Sequence, residues 1–293
     1  MAKSEDTLSY VMGKVEQANN DISGKKIQWE AFYKLYRNYR EHLELTGRAN
    51  VGLPVAFEWV EVARARLYKE FCGRRPYIRV RGQEPQDDHP ARGIQLFQNW
   101  QYDEAKYKRL IYNVLSQVYI FGTGICKYYW RYDEAEKIVH RPVNPEFPQA
   151  GTLPVLDKVV VYDNVAFELI DIFDFRVDPE ATTIDDARWC AHKTRKTIEF
   201  LEDMERQGIY SNISAVKNDM IEDSAGREDD PHKQTRLAIE GHQPDYAGLM
   251  KPVELIEYFE DDRIITVANN KHVISCLLYT SDAADELDGV DLG

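Results

Sequence analysis

The sequence predicts an α+β fold in which N-terminal helices pack with a mixed or antiparallel sheet. Two observations predict it: apolar residues recur at helical spacing through the first third of the chain, and runs of β-branched and aromatic residues take over after Gly124. With 43% hydrophobic and 12% aromatic residues in 293, the chain can bury a substantial core.

The helices come first. Ser4 precedes Glu5 and Asp6, and Leu8, Val11, Met12 and Val15 follow at i, i+3, i+4, i+7, the pattern of a capped amphipathic helix with acids near its positive end. After a turn at Asp21–Gly24, Trp29, Phe32, Tyr33, Tyr36, Tyr39 and Leu43 keep that period, so residues 1–50 are expected to form a helical hairpin. The tyrosine stripe reads as core or subunit interface, not as a base-stacking surface, because its spacing is helical. Pro54 opens a further helix with Trp59, Val60, Ala63, Leu67 and Phe71 on one face, ended by Gly73.

Arg74–Gly82, RRPYIRVRG, alternates apolar and basic residues and predicts a short strand, with Tyr77 and Arg79 on one side and Ile78 and Val80 on the other. It is the most basic local patch, and in so acidic a chain it reads as a solvated face sooner than as a phosphate contact. Gln86–Arg92 reads as a polar link, followed by a buried helix marked by Tyr107, Leu110, Ile111, Val114, Leu115 and Val118 and stopped by Gly122. Strands are expected at Gly124–Trp130 and, as two or three segments turning at Asp163-Asn164, at Val155–Val177. Asp178-Pro179 breaks the sheet, Trp189–Lys193 resumes it, and Thr197 caps a helix that closes at Gly208. Residues 211–251 read as a polar loop or insertion with at most one weak helix near Ile213–Ile221, and residues 252–275 as a β-hairpin around Asp261-Asp262.

The last eighteen residues look foreign. CLLYTSDAADE, Cys276–Glu286, and GVDLG, Gly289–Gly293, both back-translate in one frame into the constant parts of a transposase adapter used in DNA sequencing. Residues 276–293 are therefore set aside before fold reasoning. Without Asp282, Asp285, Glu286, Asp288 and Asp291 the net charge goes from -13 to -8.

No run of about 18 apolar residues occurs, and MAKSEDTLSY lacks the apolar centre of a signal peptide, so an intracellular protein is expected. Cys72, Cys126, Cys190 and Cys276 have no paired spacing and read as reduced thiols. Net charge -13 opposes tight sequence-independent binding of nucleic acid, so a DNA partner would be guided, not gripped.

No catalytic, cofactor-binding or metal-ligating residue is assigned, and no cofactor is expected. The local signatures HExxH, GxSxG, GxxxxGKS/T and CxxC do not occur. FGTG, Phe121–Gly124, follows a helix and enters a strand, the reverse of a phosphate-binding loop, and reads as a helix stop. Cys190 and His192 could share a strand face and supply half a zinc site, but no second pair completes it; His232 and His242 lie in the polar insertion. The adjacent acids Asp185-Asp186, Asp229-Asp230 and Asp261-Asp262 read as turn residues facing water, since acid/base work needs carboxylates converging from different elements.

Three segments together resemble the portal, or head-to-tail connector, family of tailed phages: VGLPVAFEWVEVARARLYKEFCGRRPYIRVRG, YNVLSQVYIFGTGICKYYWRYD and ELIDIFDFRVDPEATTIDDARWCAHKTRKTIEFLEDM. Their order and spacing carry the resemblance, with residues 51–210 as its portal-like, wing-region core. The resemblance implies an N-terminal fragment of a non-enzymatic virion protein at the capsid portal vertex, assembled in the host cytoplasm. It implies a cyclic homo-oligomer, a dodecamer in the typical case, that works in viral DNA packaging, DNA ejection and head-tail joining. Its partners would be further copies of itself, the terminase large subunit, capsid, scaffold and tail adaptor proteins, and DNA passing without sequence-specific binding, with no membrane. The aromatic helices Trp29–Tyr39 and Trp59–Phe71 are candidates for one ring interface. The stem helices, clip and crown of the family are missing in part or whole. The alternatives are another phage head or tail-completion protein and, behind it, a metal-dependent nuclease using Asp185, Asp186 or His192.

Overall fold

Residues 2–40, 52–142, 152–222, 230–241 and 252–278 are described by the structure, a computed structural model. The chain forms two units, residues 1–57 with 170–293, and residues 58–169. The expected single core of residues 51–210 is thus divided, because strands from residues 175–196 pair with strands from beyond residue 252 instead of with the preceding β segment.

In the first unit an antiparallel sheet in the order β3-β4-β5-β6-β7 is built from Phe175–Val177, Trp189–Lys196, Val253–Glu260, Arg263–Ala268 and His272–Leu278. Its strands bury both faces, which their period-2 alternation makes possible. On one side Trp189, Ala191, Ile256, Tyr258, Ile265 and Val267 pack against Val11, Val15 and Ala18 of α1, Ala2–Tyr36. On the other, Val253, Leu255, Ala268 and Ile274 meet Leu201 of α5, Ile198–Arg206, and Ile213 and Val216 of α6, Ile213–Glu222. Helix, sheet and helix make three layers, the α+β arrangement expected, with the sheet antiparallel throughout.

Four expectations for this unit are corrected. The N-terminal hairpin is one continuous helix: its inward stripe runs through Val11, Val15, Ala18, Ile22, Trp29 and Tyr33 without a break in phase. Gly24 sits mid-helix at a cost of roughly 1 kcal/mol relative to alanine, and a Cβ there would meet no atom within 4 Å. Ser4 lies inside that helix instead of capping it, and the expected continuation to Leu43 lies outside the described residues. The polar insertion of residues 211–251 contains two helices, α6 and α7, Pro231–Ile239, the second capped by Asp230. Residues 252–275 form three strands, not a lone hairpin, although the expected turn at Asp261-Asp262 does join β5 to β6. β7 continues through Cys276, Leu277 and Leu278, opposite Ile265, Ile264 and Arg263. An open sheet edge pairs with any β-forming residues appended to it, so this pairing is neutral about where those residues came from.

The local signals of the sequence hold elsewhere. Thr197 caps α5, its hydroxyl accepting from the Phe200 N–H at 3.3 Å, and Gly208 takes φ 77° after it. Asp178 closes the Asp-Pro-x-Ala turn: its carboxylate accepts from the Glu180 N–H and from Arg188 Nε at 2.7 Å, and the Arg188 bond holds its pKa below the usual carboxylate value.

The second unit contains most of α2, Val55–Cys72, with α3, Asp88–Glu104, α4, Tyr107–Phe121, and the two-stranded ribbon β1, Ile125–Pro142, and β2, Thr152–Ile170. α3 replaces the expected polar link. Pro90 is compatible because it sits in the first turn, where a missing N–H costs nothing. β2 runs straight through Asp163-Asn164, the expected hairpin turn. There the Trp130 indole N–H donates across the ribbon to Asp163 Oδ1 at 2.8 Å, and Asn164 is buried with its side chain accepting from the Val165 N–H.

Arg64 binds α2 to α4. Its guanidinium lies 4.1 Å over the Tyr112 ring and donates to Ser116 Oγ at 2.7 Å, with Glu61 as its ion partner. Gly122 takes φ 84° and ends α4 by donating to the Val118 carbonyl. Gly124 then passes so close to α4 that a Cβ there would lie 2.8 Å from Val118 Cγ2 and 2.9 Å from Val114 Cγ1 and O. Gly124→Ala is accordingly expected to lower stability by about 1–3 kcal/mol, read as a fall in urea midpoint, whereas an unchanged midpoint would show that β1 leaves α4 by another path.

Arg74–Gly82 forms no strand: the chain bends at residues 73–75 and 77–78 and runs on without a bend only over 79–82. It lies along α3 and exchanges its hydrogen bonds with side-chain amides. The Tyr77 N–H donates to Asn99 Oδ1 at 2.6 Å, Asn99 Nδ2 to the Ile78 carbonyl at 3.0 Å, and the Val80 N–H to Gln95 Oε1 at 3.2 Å. Gln95, Asn99 and Asp103 sit one helical turn apart, so their rise of about 6 Å per step keeps pace with two residues of extended chain at about 3.3 Å each. The strand expected from the alternation does not form, and the segment is held on a helix face instead.

Candidate interaction surfaces

The apolar face of α2 does not point inward. Its buried side chains are Arg64 and Cys72, while Trp59 is 73% exposed and Leu67 and Phe71 are also exposed. α3 repeats this: Leu96, Phe97 and Trp100 are exposed, the two rings stacked at 5.8 Å.

The ribbon is more open still. No side chain from Ile125 to His140 is buried, and Tyr128 at 77% and Trp130 at 60% stand out among them. Leu156 and Val160 of β2 are exposed as well. A two-stranded ribbon is marginally stable in water unless something covers it. Large exposed apolar side chains recur through α2, α3 and the ribbon, and a patch built of such residues marks a contact site.

In the first unit, Trp29 rests edge-on against Phe173 at 5.6 Å and Tyr33 is buried, so that part of the aromatic stripe is core, while Phe32 and Tyr39 are exposed. α7 covers this end of α1 almost wholly through polar contacts. Asp230 pairs with Lys26 at 2.5 Å, His232 with Glu30, Lys233 with Asp174, and Arg236 bidentately with Asp171. The Tyr33 hydroxyl donates to Glu240 at 2.7 Å. Burial works against the charges of Glu30 and Asp230, and hydrogen bonds from Lys34 and His232 to the one and from Lys26 to the other outweigh it, leaving both pKa values below the ordinary carboxylate value. At the other end of the sheet Glu260 accepts from Tyr10, Tyr258 and Arg263; burial and the Glu260 bond push the Tyr258 pKa up.

The residues with possible chemistry are dispersed. Cys190 and His192 do share the face of β4 opposite Trp189 and Ala191, and His192 Nδ1 lies 3.9 Å from Glu257 Oε2 on the adjacent strand. His232 is on α7, occupied by Glu30, and His242 lies outside the described residues. Asp186 bonds Thr183 beside exposed Asp185, Asp230 caps α7 while Asp229 is not described, and Asp261-Asp262 forms the β5–β6 turn. Among the described residues no three His, Cys, Asp or Glu side chains converge as metal ligands, and no helix is long and apolar enough to cross a membrane.

No protein-family model matches the chain, and no curated protein matches it.

Proposed function

We propose that this chain is the N-terminal part of a tailed-phage portal subunit, a structural protein of the virion that closes into a ring at one capsid vertex for DNA packaging, ejection and head-tail joining. The three-segment resemblance across residues 51–210 motivates the reading, and the observation that carries it is the uncovered apolar surface of residues 58–169. A subunit of a closed heterologous ring needs two different complementary faces. α2 and α3 offer one set of exposed aromatic side chains and the β1–β2 ribbon offers another. Terminase, capsid, scaffold and tail adaptor proteins are the further partners of such a ring. The acid excess of the chain suits a channel along which DNA slides without sticking.

The test is the product of the uninterrupted gene. It is expected to appear as rings with a central hole by electron microscopy and as one oligomer by sedimentation. A monomer persisting at high concentration would defeat the proposal.

A further inference from the structure

We propose that residues 58–169 carry a contact surface for the phosphate backbone of nucleic acid, formed by Arg74, Arg79 and Arg81 of the segment Arg74–Gly82 with Lys106, Lys108 and Arg109 at the start of α4. This surface goes beyond the portal reading and stands whether or not copies of the chain form a ring.

The charge of the chain is unevenly divided. Residues 58–169 hold sixteen Lys and Arg against fifteen Asp and Glu, so the whole acid excess behind the net -13 lies in the rest of the chain. Within the second unit the six cations named above are all exposed, and among the described residues none has an ion pair or a side-chain hydrogen bond. Only Arg75 beside them is neutralised, by Asp103 at 2.8 Å. In a protein with surplus carboxylates, a row of unpaired arginines is the exception that calls for an external anion.

Aromatic contacts bring the segment that carries Arg79 and Arg81 beside the start of α4. The Tyr77 ring lies 5.7 Å from both the Arg75 guanidinium and the Lys108 ammonium and 5.8 Å from the Tyr107 ring, which joins that segment to the start of α4. α4 has no acidic residue in its first turn, so its positive end lies beside Lys106, Lys108 and Arg109; of the two acids just before it, Asp103 is paired with Arg75 and Glu104 is exposed. The segment is also pre-organised: Asn99 and Gln95 hold its backbone, and Arg79 and Arg81 fall on the same side of an extended chain, about 7 Å apart. Two guanidinium groups in that register can meet successive phosphates of one strand.

Phosphate fits better than the carboxylates of a protein partner. Protein interfaces are depleted of charge at their centres, whereas nucleic-acid interfaces are strongly cationic. Here Ile78 and Val80 are only partly exposed, leaving the face to arginine, lysine and tyrosine.

The test uses the full chain with a short fluorescein-labelled duplex, and separately the corresponding single strand, by fluorescence anisotropy. For about four phosphate contacts, duplex affinity should fall roughly 100-fold between about 50 and 200 mM salt. Arg79→Gln with Arg81→Gln should lower the slope of log affinity against log salt by about 2, and Arg74→Gln alone by about 1, without change in melting temperature. These side chains are exposed and make no ion pair or hydrogen bond among the described residues, so the variants are expected to keep the fold. Absence of binding by the parent chain, a slope unaltered in both variants, competition by polyglutamate equal to that by DNA, or a variant that changes the sedimentation of the protein while binding DNA as before would each overturn the proposal.

Discussion

Val15→Asp is expected to detach α1 from the sheet and to cost the first unit more than 4 kcal/mol, most of what holds an ordinary domain together. Val15 is 1% exposed and packs in the cluster that contains Ala191, Ile256, Tyr258, Ile265 and Val267. Losing the valine side chain removes about 2 kcal/mol of apolar transfer, and the buried carboxylate adds several more unless it takes up a proton or escapes to water. Escape requires the first half of α1 to leave the sheet. Ellipticity at the helical minimum together with tryptophan emission, followed through a urea titration, should show Val15→Asp unfolded or with a greatly lowered midpoint, while Val15→Ala lowers the unfolding free energy by only about 2 kcal/mol. Equal midpoints for the two variants would mean that α1 is not packed on the sheet.

What the sequence yielded and what it withheld follow one physical division. Signals confined to a few neighbouring residues were readable: Thr197 before α5, Gly122 after α4, and the acidic turn between β5 and β6. Signals whose meaning depends on distant partners were not. Gly24 has the composition of a turn, yet the stripe from Val11 to Tyr33 keeps its phase because the sheet and α7 cover the same side of α1. Asp163-Asn164 is a good turn pair in isolation, and the Trp130 indole on the facing strand makes it a strand pair. The alternation of Arg74–Gly82 suggested a strand and could not reveal that Gln95 and Asn99 of a helix would supply the partners of a bent segment.

The same holds for the candidate surfaces. Spacing alone put Trp59, Leu67 and Phe71 on one face of α2 but could not tell a core face from an exposed one. What decides it is Arg64 on the other side of the helix, whose bonds to Ser116 and Glu61 and whose packing on Tyr112 turn the polar side toward α4. A buried arginine is rarely anticipated from sequence, because its acceptors come from elsewhere in the fold.

Arg176→Met should be the costliest loss of a polar side chain, at about 2–4 kcal/mol. Arg176 is 2% exposed, and its guanidinium donates to the Phe173 carbonyl at 2.9 Å, to the Phe175 carbonyl at 2.7 Å and to the Asn19 side chain of α1. Burial lowers its pKa, and the charges of Asp174, Asp230 and Glu254 work the other way. Methionine fills the aliphatic stem but leaves two carbonyls and one amide oxygen without that donor, at about 1–3 kcal/mol for each that water cannot reach. Against this stands the relief of no longer burying a cation, which makes removal of some buried charges harmless. The balance tips toward loss because three acceptors are stranded together and because Asn19 links the turn before β3 to α1. Arg176→Lys separates the two contributions: it keeps the charge, but one ammonium cannot span acceptors that a planar fork reaches together, so most of the loss should remain. Arg263→Met, at a more exposed pair with Glu260, serves as the reference and should lower the unfolding free energy from urea titration by no more than about 1 kcal/mol. If Arg176→Met matched that reference, the desolvation of the cation would cancel its hydrogen bonds, and α1 would depend on its apolar stripe alone.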